Sequence, residues 1–461
     1  MRPNISLILI LSFGLWISFN VFGCAEKKYS ELPARKSAEW VKNAVIYQAN
    51  LRSFSKEGTF KAFEKRIPDL KKLGVSVISL LPVHPIGELN RKGALGNPFA
   101  IKDFYGINPE FGSLNDLQSL IATTHRQGLK IILGFVANQA AWDNRLIMEH
   151  PEWFIQNDEG AIVSPNPDSY DVAEIDLNQH EARKYIIAVL KYWINEVDVD
   201  GFSFISTAST PLDFWILTRH VLEQNKSIMM IADESEPEYH LEAFDVTSGW
   251  SVFHAVNNSL RKSASAFPID DSLRSEEDSL PIGSLRLRYL LPQQVSDQSD
   301  SLAPIGNFQK QLIQSLLLFT LPGIPFIVSG EEIGSTKRFD LFDKYELDWV
   351  SGKEIKTFYE QLGALRICHP AIQSGSYEHL KQNHEQILPF IRTSSMDSIL
   401  IIINTSETKV STNVSLSNNH YIRWEDQFTK TIYKMQDSSL TVLLGPLQFL
   451  ALVPVKEKGN Q

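Results

Sequence analysis

Cysteine is scarce in this chain of 461 residues, which contains only Cys24 and Cys368. Two cysteines cannot form the dense disulfide framework on which small secreted domains depend. If Cys24 is acylated, Cys368 has no partner, and we expect it to be a small buried hydrophobic residue. The fold must therefore rest on an ordinary hydrophobic core.

Basic clusters and low-complexity stretches are also absent. Lys and Arg total 44 against 54 Asp and Glu, which gives a formal net charge of -10 with no strongly basic segment. This argues against nucleic acid as a partner. The composition, with 43% hydrophobic and 21% charged residues, is that of a globular protein, and 461 residues exceed what a single core usually supports. We therefore expect two or three domains.

The one long apolar run stands at the N-terminus. Arg2 precedes apolar residues over positions 5–22, and Cys24 follows closely. This pattern is typical of a secretory signal over residues 1–23 with a lipobox-like end. It predicts a lipid on Cys24, a polar tether over residues 24–39, and a bacterial cell envelope location, anchored to a membrane on its periplasmic or surface side. An uncleaved membrane anchor and a plain cleaved signal are the alternatives.

Over residues 40–375, short β-branched runs alternate with amphipathic stretches, which is the pattern of parallel strands joined by helices. A weaker strand is expected near Trp250, and helices are expected over residues 58–74 and 113–128. Eight strands in such a length favour a closed barrel whose functional groups lie at the C-terminal ends of the strands. The predicted strands besides the weak one are 44–49, 75–82, 129–136, 201–205, 228–232, 286–291 and 325–330.

After residue 375 the apolar runs become short and are separated by Ser, Asn and Gly, which predicts an antiparallel β domain over residues 376–461. The expected fold class is therefore α/β: a (β/α)8 TIM barrel with an inserted loop region between residues 135 and 181 and a C-terminal antiparallel β-sandwich. The runs that support the C-terminal domain are 387–394, 398–406, 412–417 and 440–455.

Several longer segments resemble one known family. The stretch 40–87 is similar to the first strand, helix and second strand of the α-amylase superfamily, glycoside hydrolase family 13, and 90–117 is similar to its following loop. Segments 198–215, 229–245 and 321–334 continue in that family's order. The resemblance implies an amylase-like barrel. It also implies retaining cleavage or transfer of α-glucosidic bonds, which needs a nucleophilic carboxylate and a second carboxylic acid as proton donor.

At the positions that carry this chemistry in the family, the sequence departs from the pattern. Ile205 stands at the nucleophile position and Ser203 replaces the arginine that holds the nucleophile's charge. An aliphatic side chain cannot form a glycosyl ester. The acid position holds Asp233, one methylene shorter than the expected glutamate, and Glu234 should face away from the pocket if Asp233 faces it. Asp233 is the only surviving candidate for a catalytic carboxylate.

The remaining positions keep neutral hydrogen-bonding groups. The seventh-strand motif appears as Gln293 and Gln294, where the family has a histidine and an aspartate. The third-strand motif keeps Asn138 and has Gln139 in place of histidine, and Phe99 stands where many relatives place a tyrosine. By resemblance, a substrate-binding set would comprise Phe99, Asn138, Gln139, Ser203, Ile205, Asp233, Gln293 and Gln294. No cofactor is expected. Calcium is possible by family resemblance, but no residue pattern points to it.

Other conspicuous residues have plainer interpretations. Trp153 and Trp215 lie among helix-like apolar residues, so we expect them to pack in the core. The acidic residues Glu331 and Glu332 follow the last barrel strand, and we expect them to belong to a solvated loop.

Three functions remain open. The first is a lipid-anchored pseudo-hydrolase that binds α-glucan or malto-oligosaccharide without turnover, with a possible envelope protein partner. The second is a weakly active or altered α-glucan glycosidase that uses Asp233. The third is an interaction scaffold that does not bind sugar, in which the barrel persists only as a folded surface. An open pocket would favour binding, whereas a barrel mouth plugged by Ile205 and its neighbours would favour the scaffold.

Overall fold

The computed structural model describes residues 28–262, 265–291, 305–337, 340–416 and 421–455. The predicted signal peptide, the lipid attachment at Cys24 and the positions Gln293 and Gln294 lie outside these described residues. Among the helices of the described ranges, none is long and apolar enough to span a bilayer.

Eight parallel strands form a closed barrel, so the predicted (β/α)8 fold is confirmed. Each apolar run that predicts a strand overlaps one, and the weak strand near Trp250 is found at Val246–Ser248. Around the barrel the order is β1, β10, β9, β8, β7, β6, β3, β2. The strands are β1 (Ile46–Ala49), β2 (Val77–Leu80), β3 (Lys130–Val136), β6 (Gly201–Ile205), β7 (Met229–Ala232), β8 (Val246–Ser248), β9 (Leu285–Tyr289) and β10 (Ile324–Val328).

The inserted region predicted between residues 135 and 181 contains an antiparallel hairpin of β4 (Gln139–Ala141) and β5 (Val172–Glu174). Helices cover the outside of the barrel. They are α1 (Glu39–Lys42), α2 (Leu51–Phe54), α3 (Phe60–Glu64), α4 (Ile67–Lys72), α5 (Leu114–Arg126), α6 (Leu146–Glu149), α7 (His180–Asn195), α8 (Leu212–Leu222), α9 (Tyr239–Glu242), α10 (Trp250–Lys262), α11 (Phe267–Ser279), α12 (Phe308–Thr320), α13 (Lys353–Cys368) and α14 (Pro370–Ser374).

The single helix predicted over residues 58–74 is divided into α3 and α4. Pro68 stands in the first turn of α4, where its missing N–H costs nothing. In an unbroken helix the Pro68 ring would clash with the carbonyl of Glu64 and leave that carbonyl without its N–H donor, so α3 ends at Glu64 and a new helix begins at Ile67. By contrast, α5 matches its prediction closely, because Ser113 and Asp116 form a reciprocal capping box at its start.

The C-terminal β-sandwich is also confirmed. A six-stranded sheet, in the order β11, β12, β13, β18, β15, β16, faces the pair β14 and β17. Arg392 on β12 joins the domain to the barrel, since its guanidinium is buried and donates to the carbonyl oxygens of Thr320 at 2.8 Å and Gly375 at 2.9 Å. The strands are β11 (Ser376–His379), β12 (Ile387–Thr393), β13 (Ser398–Asn404), β14 (Val410–Ser415), β15 (Arg423–Asp426), β16 (Ile432–Lys434), β17 (Ser439–Leu444) and β18 (Phe449–Pro454).

Part of the predicted tether is packed against the barrel. The backbone of Ala34 donates to the carbonyl of Ile282 at 2.8 Å, and Arg35 forms ion pairs with Asp245 and Glu223. Such contacts fix the chain from residue 28 onward to the outside of the barrel.

The predicted burial of two tryptophans is confirmed, whereas the predicted burial of Cys368 is not. Trp215 is fully buried and Trp153 is partly buried against the core, as predicted. Cys368 lies at the end of α13 and is exposed, so the expectation of a buried cysteine is wrong. The apolar spacing of a helix does not reveal which face its last residue presents.

Candidate functional site

The strand register decides which side chains face the inside of the barrel. On β9, Arg286 and Arg288 pair with Glu276 of the outer helix α11, so the alternate residues of this strand face inward. Strand β9 pairs with β8, β8 with β7, and β7 with β6. Residues paired with an inward-facing residue also face inward, so Ser203 and Ile205 lie on the inner face of the barrel. The positions that matter for catalysis in the resembled family therefore do converge at the C-terminal end of the barrel.

Ile205 closes the end of β6. Its side chain is only 7% exposed and belongs to the main hydrophobic core. Ser203, two residues earlier on the same face, is also buried. A carboxylate nucleophile and its arginine are thus replaced by an aliphatic contact and a small hydroxyl, which cannot form a covalent glycosyl intermediate.

The carboxylate of Asp233 is engaged by the loop that follows β6. It accepts hydrogen bonds from the backbone N–H of Ser206 at 2.8 Å and of Thr207 at 3.1 Å, and from the Thr207 hydroxyl at 2.6 Å. Burial raises the pKa of the Asp233 carboxyl, and these three hydrogen bonds oppose that rise. Asp233 therefore acts as the cap of a short 3₁₀ turn at Thr207–Ser209.

Other side chains fix the same loop. Ser206 has a left-handed backbone with φ of 57°, and its hydroxyl accepts a hydrogen bond from Gln139 at 3.2 Å. The Tyr239 hydroxyl donates to the carbonyl of Thr207 at 2.9 Å, and the Trp250 indole donates to the carbonyl of Asp233 at 3.1 Å. The structure thus brings Gln139 and Asp233 together through Ser206, in a network that rigidifies the barrel mouth.

The other predicted binding residues are enclosed. Phe99 is buried in the core, and Asn138 is 2% exposed with no hydrogen-bond partner for either atom of its side-chain amide. Its backbone carbonyl instead accepts from Ile175 N–H at 2.8 Å, which ties β3 to the inserted region. Phe99, Asn138, Ser203 and Ile205 therefore form part of the packed barrel end.

His84 is a polar residue of this region that the sequence did not single out. It is fully buried between the rings of Phe135 and Trp193, and neither ring nitrogen has a hydrogen-bond partner. Burial lowers its pKa to about 3, so the imidazole is neutral at physiological pH. A search for motifs cannot find such a residue, because its surroundings are assembled from distant segments.

A cavity of about 460 Å³ opens beside the barrel mouth. This side cleft lies between the segment after β5, the loop after β6 and the loop after β7. Its size falls within the range of small-ligand sites. Thr210 lines it with a buried hydroxyl that has no hydrogen-bond partner. Its polar wall includes the carboxylates of Glu174, Asp176, Glu236 and Glu238.

The carboxylates of the side cleft differ in their surroundings. Burial, with Asp176 beside it, raises the pKa of Glu174. Asp176 accepts from the backbone and side chain of Asn178 at 2.9 and 3.0 Å, while Glu238 accepts from the hydroxyl of Tyr29. Glu236 and Glu238 follow a barrel strand, so their position after Asp233 was a usable signal. Glu174 lies in the inserted region, where the sequence offered none.

Within the described ranges, no group of three or more His, Cys, Asp or Glu side chains is arranged to hold a metal ion. Calcium sites in proteins use six to eight oxygen ligands, usually with several carboxylates. The clustering of these four residue types in the described ranges therefore adds no separate indication of the calcium that the family resemblance allows.

The acidic residues after β10 contradict the expectation of a solvated loop. Glu331 and Glu332 are both buried. Glu332 accepts hydrogen bonds from the hydroxyl of Tyr47 and from Gly330 N–H at 2.8 Å. Burial raises the pKa of both carboxyls, that of Glu331 well above its ordinary value. Only the fold, which covers this turn with α12 and α13, determines their burial.

Comparisons with known proteins agree with this architecture. The family model of the alpha amylase catalytic domain matches residues 44–168. Alpha-amylase 2 of Dictyoglomus thermophilum is 22% identical over 91% of this chain and 78% of that protein. The structure of a noncanonic maltogenic alpha-amylase from Thermotoga neapolitana is 27% identical, covers 91% of this chain and 100% of that chain, and has a TM-score of 0.83.

A second similar structure holds a ligand. The alpha-amylase from Geobacillus thermoleovorans complexed with acarbose is 19% identical, covers 92% of this chain and 100% of that chain, and has a TM-score of 0.78. At that identity the likeness concerns the fold. The family model and the relatives that span barrel and C-terminal domain agree on one likeness: the chain is similar to proteins of the α-amylase superfamily over both of these parts.

Proposed function

We propose that this protein is a catalytically inactive member of the α-amylase superfamily that holds α-glucan at a bacterial cell envelope, to which a lipid on Cys24 anchors it. The observation that carries the proposal is the engagement of Asp233. Its carboxylate accepts three hydrogen bonds from the loop at Ser206 and Thr207. A carboxyl group held in this way is directed toward the loop and not toward a bound sugar, so it is out of position to protonate a glycosidic oxygen.

The absence of a nucleophile at the family position supports the same conclusion. Retaining glycosidases use two carboxyl groups about 5 Å apart on either side of the scissile bond. Here one of these two positions is Ile205, which is packed in the core. The alternative of a weakly active glycosidase would require Asp233 to leave its three hydrogen bonds and a nucleophile to come from elsewhere.

The side cleft supplies a place for a glucan. Its carboxylates offer acceptors for sugar hydroxyl groups, and Ile155, Leu212 and Tyr239 provide apolar surface. Sugar rings need both kinds of contact, because they carry hydroxyls at their edges and C–H groups on their faces. The fold family also supports binding, since the relative from G. thermoleovorans holds acarbose.

A bulky residue in the side cleft should abolish glucan binding. Ser209 lines the cleft and is exposed, so Ser209→Trp would fill the cavity without disturbing the core. We expect the dissociation constant for maltoheptaose, measured by titration calorimetry, to rise at least about tenfold, a loss of roughly 1.4 kcal/mol.

The matched control is Ser227→Trp. Ser227 is also exposed, but it precedes β7 at the opposite end of the barrel. Its variant should bind maltoheptaose as the wild type does. If both tryptophan variants bind with unchanged heat, the side cleft is not the glucan site and this part of the proposal fails.

A second candidate function is a scaffold without sugar affinity. The observation that favours it is the burial of Phe99, Asn138, Ser203 and Ile205, which fill the barrel end where relatives in this superfamily would be expected to bind their substrate. The two candidates differ in the same titration, because a scaffold would give no heat with maltoheptaose in the wild type.

Lipid anchoring is tested separately. Labelling of growing cells with a radioactive fatty acid should mark the full chain, and Cys24→Ser should remove the label and release the protein from the membrane fraction. Retention of the variant in that fraction would favour an uncleaved anchor instead.

A further inference from the structure

Glu331 is a buried carboxyl group that the proposed glucan site does not use. It begins the 3₁₀ turn after β10 and is 8% exposed. Neither of its carboxyl oxygens has a hydrogen-bond partner, although the backbone at Val328 and Leu291 lies near. The neighbouring Glu332, in contrast, accepts hydrogen bonds from Tyr47 and Gly330. A buried acceptor without a partner is costly, so its persistence calls for an occupant beside it.

Glu331 lines a small cavity between α10, α12 and α13. The cavity measures about 30 Å³, which is enough for one atom or molecule of the size of water and too small for an organic ligand. The polar side chains that share this cavity with Glu331 come from all three helices and are Asn257, Gln311, Gln314, Ser315 and Tyr359.

Each side-chain amide around the cavity has one of its two N–H groups engaged in a hydrogen bond. The side-chain amide of Gln314 donates to the oxygen of Asn257 at 3.2 Å, and that of Gln311 donates to the carbonyl of Ile305 at 2.7 Å. The Asn257 amide donates to the carbonyl of Phe253 at 3.0 Å. Besides the second N–H of each amide, the wall presents the side-chain oxygens of Gln311, Gln314 and Tyr359 to an occupant, and oxygen is the ligand type of hard cations.

No positive group of the described residues lines the cavity, since its wall contains neither Lys, Arg nor His. An ionised Glu331 would therefore have no compensating charge in contact with it, which is strongly unfavourable in a buried site. We propose that the cavity beside Glu331 is a binding site for a monovalent metal cation, sodium or potassium, held by the carboxylate and by the amide and hydroxyl oxygens of the wall.

The charge of the site selects the class of ion. Only the carboxylate of Glu331 is available, because that of Glu332 is directed to Tyr47 and the backbone of Gly330. One negative charge and several neutral oxygens balance a monovalent ion. A divalent ion would remain undercompensated, since calcium sites normally combine several carboxylates.

The test compares thermal unfolding of the purified full-length chain in choline chloride with that in sodium or potassium chloride, at equal ionic strength and neutral to mildly alkaline pH. A cation that binds only the folded state stabilises it, and we expect a rise in melting temperature of roughly 2 °C in one of the two metal salts. Glu331→Gln preserves size and removes the charge, so this variant should lose the response.

Glu332→Gln is the matched control, because it changes the adjacent buried carboxyl but leaves Glu331 in place. This variant should keep the response to the metal salt even if it melts at a lower temperature. Identical melting of the wild type in choline, sodium and potassium chloride would overturn the proposal and leave a protonated Glu331 beside an ordered water molecule. An equal response in the wild type and in Glu331→Gln would overturn it as well.

If Glu331→Gln fails to fold, thallium(I) NMR on the wild-type chain tests the site directly. Thallium(I) is a spectroscopic substitute for potassium, and its NMR signal in the presence of the wild-type chain should show a bound population. Sodium or potassium, but not choline, should displace it. A thallium signal that neither the protein nor the competing ions change would contradict the site.

Discussion

Replacement of Asp233 by alanine is expected to lower the free energy of unfolding by about 3 kcal/mol. The substitution removes the acceptor for Ser206 N–H, Thr207 N–H and the Thr207 hydroxyl, and Thr207 is fully buried. Buried donors left without partners cost roughly 1–3 kcal/mol each, reduced where water enters. Denaturant titration of the variant and the wild type measures the difference.

The control for this prediction is the neighbouring carboxylate. Glu234 is exposed, so Glu234→Ala should change the free energy of unfolding by no more than about 0.5 kcal/mol. In an active enzyme, removal of a carboxylate held ready for substrate tends to leave stability unchanged or to increase it. A variant Asp233→Ala as stable as the wild type would therefore indicate a catalytic residue and contradict the account.

The second large effect is expected at the other end of the barrel, where Asp245→Ala should cost about 3 kcal/mol. Asp245 is buried and pairs with both Arg35 and Arg219, and it accepts from Ser37 at 2.7 Å and from Met230 N–H at 2.9 Å. Its removal leaves these two largely buried arginines with only the partly exposed Glu223 as a charged partner, which is unfavourable. The same titration with denaturant measures the loss.

Asp213→Ala provides the comparison for Asp245. Asp213 also pairs with an arginine, Arg183 at 2.6 Å, but its side chain is 69% exposed. Exposed pairs contribute about 0–1 kcal/mol. Should the two variants lose the same stability, the N-terminal segment that carries Arg35 and Ser37 is not held by a buried charge cluster.

The barrel could be predicted because its strands are buried on both faces and so appear as continuous apolar runs. Strand β8 was the weakest signal, since it contains only three residues, two of them Thr and Ser. In the C-terminal domain the strands β11, β15 and β16 were missed. They are short and carry charged or exposed residues, so neither apolar runs nor alternation distinguishes them from loops.

The position of the candidate site could be predicted, but the hydrogen-bond partners of its side chains could not. The family resemblance placed Ile205 and Asp233 at the ends of neighbouring strands, and in the structure Ile205 ends β6 and Asp233 directly follows β7. The partners of Asp233 depend on the left-handed turn at Ser206, which has no periodic signature. Likewise, the burial of Glu331 depends on helices distant in sequence, and a local pattern would place any glutamate pair in solvent.

We expect this barrel to bind α-glucan without cleaving it. The most direct test incubates the purified chain at high concentration with maltoheptaose, following binding heat and the release of shorter products in one preparation. The account predicts heat without products, even after prolonged incubation. Product formation that Asp233→Asn abolishes would contradict it, because Asp233 would then act on substrate and not as the cap of its loop.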